Sequence, residues 1–553
     1  MPHEVALLIL SAAAISGNLA TGTEPALAQD PLERLLQERP DDPEIIFLVA
    51  RRGQTELMRD LVRSRPEPIH LARLLDQLDP DDSREEGTRE IAEIADKWRR
   101  WESDNGFPLL VRSYLDARRG AFAAALDALV EAAACPRCSI YLDESRQRWV
   151  EALERAEIED VSCLVEMLSR KPLHLRRYLE YAATMLLAFG DELCYRADFA
   201  KASRCYRASC TLGQKLEKGG RNKEAVLGAS RLGGTAAARL WEIVHLTRSA
   251  SEKDQWLEAG RSAFRREAVA RALGDPARSL PSALASLAEA ARAAGIAGIS
   301  AAREATTPGT ADFPKWQALC RERSKELRAF AKDVVAKGEW PTLLALVKPA
   351  ERKRLDSAPT PMDALADKEE VLYPLTPSSG DVIEIVALLE PQLPAMGAPS
   401  EGVARADSAL LQEAAYRSLQ HWIGDEARGP LLARLSRLGR DGGAAHGVAS
   451  TLIALGETGG PVVESVEAAA GGGGHPAPWR GLARLGDSEP LGRVIDALEA
   501  SLERFGAPHL EETVALFFAA RDLTSGDFEL DLETWQAWEE RLQAPLLDDG
   551  EGG

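Results

Sequence analysis

The chain has 553 residues and a mass of 60.0 kDa, with 45% apolar and 28% charged residues, which is material for several packed cores and excludes a disordered tail. Its 87 acidic against 67 basic residues leave a formal charge of −20. That balance argues against a general binder of nucleic acid or anionic membrane, since phosphate surfaces attract positive protein surface.

The N-terminus reads as an export signal. Val5 to Ile15 is an apolar run of the length of a secretory h-region, and Ala26-Leu27-Ala28 before Gln29 supplies the small-residue cleavage pattern. Residues 1–28 are therefore expected to be removed from a periplasmic or extracellular protein, with no membrane span left afterwards. Met1-Pro2-His3-Glu4 lacks the usual Lys or Arg, so the competing reading is a buried first helix of a cytoplasmic protein.

Beyond residue 30 nearly every window has the 3.6-residue apolar period and the Ala, Leu, Glu and Arg content of helices, and strand-like alternation is absent. The expected fold class is all-α: two α-solenoid parts made of helical hairpin repeats, residues 29–337 and 381–545, joined by a Pro-rich connection over 338–380, with a frayed tail over 546–553. Early helices are expected at Pro43 to Arg52 and Glu56 to Arg65. Lys97-Trp98-Arg99-Arg100-Trp101 interleaves cations with aromatics, but an amphipathic helix with both Trp inside and the Arg outward fits it better than a nucleic-acid stripe.

Two segments have the spacing of a particular helix pair. In one, Gly120-Ala121-Phe122 turns into a helix carrying Ala125 and Ala132 before Pro136 ends it. In the other, Asp198-Phe199 takes the turn, followed by Ala202, Cys205, Tyr206 and Ser209. Small residues at these places let two helices approach closely while the aromatic fills the gap to the next pair. Both segments resemble tetratricopeptide repeats. The resemblance implies a stack of helical hairpins and names no ligand.

Residues 338 to 380 interrupt the pattern with Pro341, Pro349, Pro359, Pro361, Pro374 and Pro377, which reads as a connection with one short helix. Beyond 380 the composition changes to 29 Asp and Glu, 12 Arg and no Lys, so this part carries about −17 of the net charge.

The C-terminal part repeats a turn. Trp422-Ile423-Gly424-Asp425, Leu455-Gly456-Glu457 and Leu485-Gly486-Asp487 place glycines 32 and 30 positions apart, and Pro430, Pro461 and Pro490 follow in step. Each Gly is suited to end a helix in the left-handed conformation, and each Pro to start the next. This resembles the short HEAT-like repeats of the phycobilisome-lyase type found in bacterial proteins. The resemblance implies a second helical-repeat array, which Trp535 and Trp538 would close as a terminal cap.

Candidate chemistry centres on the cysteines. Cys135-Pro136-Arg137-Cys138 is a C-x-x-C lacking the strand context of a thioredoxin-type motif. Three roles remain open for it: a structural disulfide or buried thiols, a metal site completed by Cys163 and His174, for which zinc is the natural ion, and redox catalysis. Cys194 and Cys205 flank the Asp198 corner, where they either form a disulfide staple or sit as small core residues. Asp527, Glu529, Asp531 and Glu533 alternate like a calcium loop but lack its turn Gly and suit an acidic helix start better. No phosphate-binding loop, nucleophile elbow or paired-His motif occurs.

The expected function is that of a non-catalytic scaffold or adaptor, which holds protein or peptide partners on concave helical surfaces without a cofactor. Its acidic C-terminal part would favour a basic partner. The alternatives are a metal- or thiol-dependent enzyme centred on residues 135–210, and a structural component of a larger surface assembly.

Overall fold

Proline placement explains much of the helix pattern. Pro31, Pro43, Pro68, Pro349, Pro361 and Pro476 are each the first residue of a helix. There the missing N–H would have had no intrahelical partner and the fixed φ already suits the helix. The computed structural model describes residues 31–50, 54–81, 84–155, 174–219, 223–249, 252–272, 324–347, 349–389, 401–438, 443–470, 476–485, 489–504 and 510–523, with the single positions 318 and 322. The candidate signal peptide, Cys163, Gly486, the Asp527–Glu533 stretch, Trp535 and Trp538 lie outside the described residues.

In chain order the helices are α1 (Pro31–Glu38), α2 (Pro43–Ala50), α3 (Thr55–Ser64), α4 (Pro68–Leu75), α5 (Glu85–Trp101), α6 (Phe107–Arg118), α7 (Phe122–Ala134), α8 (Leu142–Arg155), α9 (Leu175–Tyr195), α10 (Phe199–Gly219), α11 (Lys223–Leu246) and α12 (Lys253–Ala272). They continue as α13 (Ser324–Lys337), α14 (Glu339–Leu346), α15 (Pro349–Asp356), α16 (Pro361–Asp367), α17 (Glu369–Leu372), α18 (Ser379–Leu388), α19 (Glu401–Ser418), α20 (Arg428–Leu438), α21 (Gly443–Ala454), α22 (Gly460–Ala470), α23 (Pro476–Leu485), α24 (Glu489–Glu503) and α25 (Leu510–Leu523). A π-helical turn, Leu419–Ile423, extends α19 and leads into a 3-10 turn, Gly424–Ala427. There is no strand among the described residues, and the fold is all-α. The segment 338–380 holds α14 to α17 rather than one short helix, because Pro349 and Pro361 start helices and Pro341 sits in the first turn of α14.

Four helices end in the same way. At Gly120, Ala197, Arg248 and Gly456 φ is positive, between 55° and 83°. Behind Gly456, its own N–H bonds the Ile453 carbonyl and the Glu457 N–H bonds the Leu452 carbonyl, both at 2.9 Å. Ala197 and Asp198 repeat this pair of bonds onto Cys194 and Leu193. These are Schellman closures, which satisfy carbonyls that the end of a helix leaves bare. Gly424 is likewise left-handed, at φ 73°.

The chain forms two contact units, each assembled from separated stretches: 1–79, 141–174 and 275–346 in the first, and 80–140, 175–274 and 347–553 in the second. In the first unit, α2 packs on α3 and α8, and α8 on α13. Its centre is the stack of Phe47 on Trp149, 5.0 Å apart and 10° from parallel. The Arg73 guanidinium lies over the Phe47 ring at 4.7 Å and donates to Glu44 at 2.6 Å and to the Ser145 hydroxyl at 3.1 Å. This buried cation therefore has both a charge partner and an aromatic face.

In the second unit, α9 packs against α6, α10, α11 and α25, while α11 lies between α10 and α12. Helix α12 meets α15 and α16, and α23 meets α21 and α25. The positions noted for the helix pairs (Phe122, Ala125, Ala132, Ala202, Cys205, Tyr206 and Ser209) are all buried. Small residues permit the close approaches: a Cβ on Gly190 would stand 2.3 Å from the Tyr206 ring, and one on Gly106 2.5 Å from the Ala132 carbonyl. Phe122, Phe189, Phe517 and Phe518 form one aromatic cluster that joins α7 and α9 to α25, with Phe122 and Phe517 5.0 Å apart. Trp98 is buried as expected, but Trp101 is 57% exposed. Trp101 is in step with the buried stripe of Ile91, Ile94, Ala95 and Trp98, but it is the last residue of α5, where the helix ends.

Candidate functional site

The Cys135–Cys138 segment is a pinned turn. Asn105, fully buried, donates to the Ser139 carbonyl at 3.1 Å, and its side-chain oxygen accepts from the N–H groups of Ser139 and Phe107. Arg137 pairs with Glu102 at 2.7 Å and Asp104 at 2.8 Å, and its hydrogen bond is the main cause that holds the Asp104 carboxyl below the usual range. The Lys215 ammonium donates to the Ala133 and Cys135 carbonyls, covering the C-terminal end of α7. Cys135, Cys138, Cys194, Cys205 and Cys210 are buried free thiols. Burial pushes the Cys194, Cys205 and Cys210 thiols up to about 12, and Cys138 also upward, so they are held protonated and poorly nucleophilic. His174 belongs to the first unit, where its backbone N–H bonds Asp76 at 3.1 Å and its ring lies 4.0 Å from Asp79. Among the described residues no three His, Cys, Asp or Glu side chains are grouped to hold a metal ion.

The second unit buries a dense set of ion pairs. Arg239 on α11 is 3% exposed and donates to Asp191 at 3.0 Å and Glu242 at 3.0 Å, and it also pairs with Glu413. Arg417 on α19 donates to Glu242 at 2.5 Å and lies 3.7 Å from Asp191. Glu192, 1% exposed, receives Arg480 of α23 at 2.5 Å and Arg196 at 2.6 Å, and Arg196 continues to Asp522 of α25 at 2.5 Å. The Tyr206 hydroxyl donates to Asp191 at 2.6 Å. Burial by itself would raise the Asp191 carboxyl, but Arg239, Arg417, the Tyr206 hydrogen bond and Arg480 together hold it below its ordinary value. Four arginines and five carboxylates thus tie α9, α11, α19, α23 and α25 into one network.

An aromatic layer adjoins it. His245 stacks on Tyr373 at 4.7 Å and 6° from parallel, Trp241 meets His245 edge-on at 4.4 Å, and Tyr373 meets Trp422 at 5.9 Å. Trp422, half-buried, donates its indole N–H to the Pro374 carbonyl at 2.9 Å, and Arg248 lies over its ring at 5.1 Å. His421, in the π-helical turn, is pushed down to about 4 by burial and by the nearby Arg417 and Arg484 charges. It is neutral at pH 7.

A groove opens elsewhere in this unit. Helix α12 seats Met362 of α16 against Gly260, where a Cβ would come within 2.7 Å of its side chain, and Arg261 pairs with Asp363 at 2.7 Å. Past this clamp the last two turns of α12 face the Leu355–Pro361 segment. The result is a small open groove with room of about 80 Å³. Phe264, Ala268, Leu355, Pro359 and Pro361 give it apolar walls. Of its charged residues, Glu267 and Arg271 pair at 2.5 Å, whereas Arg265 has no hydrogen-bond or ion-pair partner among the described residues and its Nε is shielded from solvent.

The sequence signal for these features was weak. Asp191-Glu192 is an acidic pair inside a long apolar helix, and Arg239-x-x-Glu242 lies among alanines and a tryptophan, so each marks a charge that needs a buried partner without naming it. No family model, curated protein or solved structure matches the chain.

Proposed function

We propose that the protein is a non-catalytic helical-repeat scaffold that holds protein partners on its helical surfaces. One observation carries this reading: the buried carboxylates Asp191, Glu192 and Glu242 are all engaged by guanidinium groups that fix helices to one another. Acid–base work needs a group whose proton can move at working pH, and Asp191, held below its ordinary value by Arg239 and Arg417, resists that. The Cys138, Cys194, Cys205 and Cys210 thiols point the same way, since burial keeps them protonated.

The partner favoured by charge is basic. The part of the chain beyond residue 380 contains no Lys and carries about −17, so association would be steered electrostatically and weakened by salt. The test is affinity purification from the native source with the chain from Gln29 onward, washed at low and at high ionic strength. Specific protein partners retained at low salt and released at high salt support the reading. Turnover of a small substrate by the purified chain, lost in a Cys135→Ser, Cys138→Ser variant that still folds, would replace it with the enzyme alternative.

A further inference from the structure

We propose that the groove between the end of α12 and the Leu355–Pro361 segment captures the free C-terminus of a partner polypeptide ending in an apolar residue. The inference rests on the scaffold reading above and adds the part of the partner that is recognised. Arg265 is the recognition charge. Its neighbour Arg271 is already neutralised by Glu267, so Arg265 supplies the groove with an unanswered positive group, one whose Nε is shielded from water and lacks an acceptor among the described residues. A guanidinium presents a planar fork of donors that matches a carboxylate on two bonds, and its two terminal nitrogens, which are not shielded as Nε is, supply that fork here.

The walls define the rest of the ligand. Phe264, Ala268, Leu355, Pro359 and Pro361 offer carbon surface to a side chain. Phe264 to Arg271 spans about 10 Å of helix, room for one or two residues rather than a long segment. A chain running through the groove would need partners for its own amides and carbonyls, and prolines have no N–H to give. A chain end brings a carboxylate to Arg265 and leaves the groove after one or two residues. Capture of a terminal carboxylate by fixed donors is an established mode of peptide recognition.

The test uses the full chain and fluorescein-labelled Gly-Ser-Gly-Ser-Leu, read by fluorescence polarisation. The peptide acid should bind at least about tenfold more tightly than the same peptide amidated at its end, the step expected for a hydrogen-bonded charge. Replacing the final Leu by Gly should weaken it by a similar factor. Arg265→Met should abolish the preference for acid over amide, and Ala268→Trp should block both forms by filling the groove. Because Arg265 is partly buried, the variant's melting curve is taken alongside, and the acid-to-amide ratio on the unaltered chain remains decisive if that variant fails to fold. Equal binding of acid and amide, no binding up to about 1 mM peptide, or displacement by free hexanoate as effective as by the peptide overturns the proposal. The two levels fail separately. If the peptide does not bind the unaltered chain and the Ala268→Trp chain keeps the partners seen in affinity purification, the groove is refuted and the scaffold stands. If the unaltered chain retains no partner at all, the scaffold reading falls.

Discussion

Arg417 and Glu242 are 175 positions apart, yet the Arg417 Nε donates to the Glu242 Oε2 at 2.5 Å, with Glu242 only 1% exposed. The contact fixes α19, from the acidic part of the chain, to α11, from the nearly neutral part. Both ends of the pair have further partners, Arg239 for Glu242 and Asp191 for Arg417. Removing one partner strands a buried charge, a loss of about 3–5 kcal/mol. Glu242→Gln and Arg417→Met should each lower unfolding free energy by roughly that amount in urea titration, and the double variant should cost clearly less than their sum. Additive losses would show that the two side chains do not act as a pair.

Gly190 and Tyr206 form the tightest glycine contact in the same region. A Cβ at position 190 would stand 2.3 Å from the Tyr206 ring, which is fully buried and held by its hydroxyl on Asp191. The ring has no free direction to move, so Gly190→Ala should destabilise by about 2–3 kcal/mol. Gly228→Ala is the control. Position 228 lies within α11 with nothing within 4 Å of the added carbon, and the change should stabilise by up to about 1 kcal/mol through helix propensity. Similar midpoints for the two variants would remove the close-packing account.

Ala197 ends α9 in the left-handed region at φ 61°, a place where glycine carries no Cβ penalty. Ala197→Gly should raise stability by about 0.5–1 kcal/mol, the strain relieved outweighing the extra freedom glycine has when unfolded. A lower melting temperature would show that the Ala197 side chain has a packing role.

Histidines give the fold an acid limit. Burial lowers His70, His245 and His421 below their ordinary value of 6.5, and His421 reaches about 4. A depressed folded value means that the unfolded chain binds the proton first. The stabilisation is complete above pH 6.5 and is lost as pH falls from there through about 4. Asp191 adds loss at lower pH, because its carboxyl is also held below its ordinary value. His421→Gln should flatten stability against pH between about 6.5 and 4, by on the order of 1–3 kcal/mol over that range. The His421 imidazole proton shift should titrate near 4, and a midpoint near 6.5 would contradict its burial.

Particular residues show how far the sequence could be read. The helical class follows from apolar spacing and good helix formers, because both act within a few turns of chain. Gly456 was legible for the same reason, since its left-handed closure involves only its own helix end. The prolines of 338–380 misled because one residue type both breaks a helix interior and starts a helix, and only the observed helices α14 to α17 separate the two uses. Trp101 misled because a helix stripe is reliable along its length and fails at the last residue, where the backbone turns away.

The site features were far less legible. The C-x-x-C drew attention by its spacing, but its environment is set by Asn105 and Lys215, residues no cysteine pattern points to. Arg265 looked like one more surface cation until the partners of its neighbours were known. By itself the amino-acid order determined that this chain is helical, where many of its helices start and stop, and that its charge is concentrated towards one end, since these depend on neighbours along the backbone. Which distant helices share a core, which arginine answers which carboxylate and which one is left unanswered were decided only by tertiary packing. Burial turns a pair of charges hundreds of positions apart into an interaction of several kcal/mol, and the same charges exposed on separate helices would barely feel each other through water.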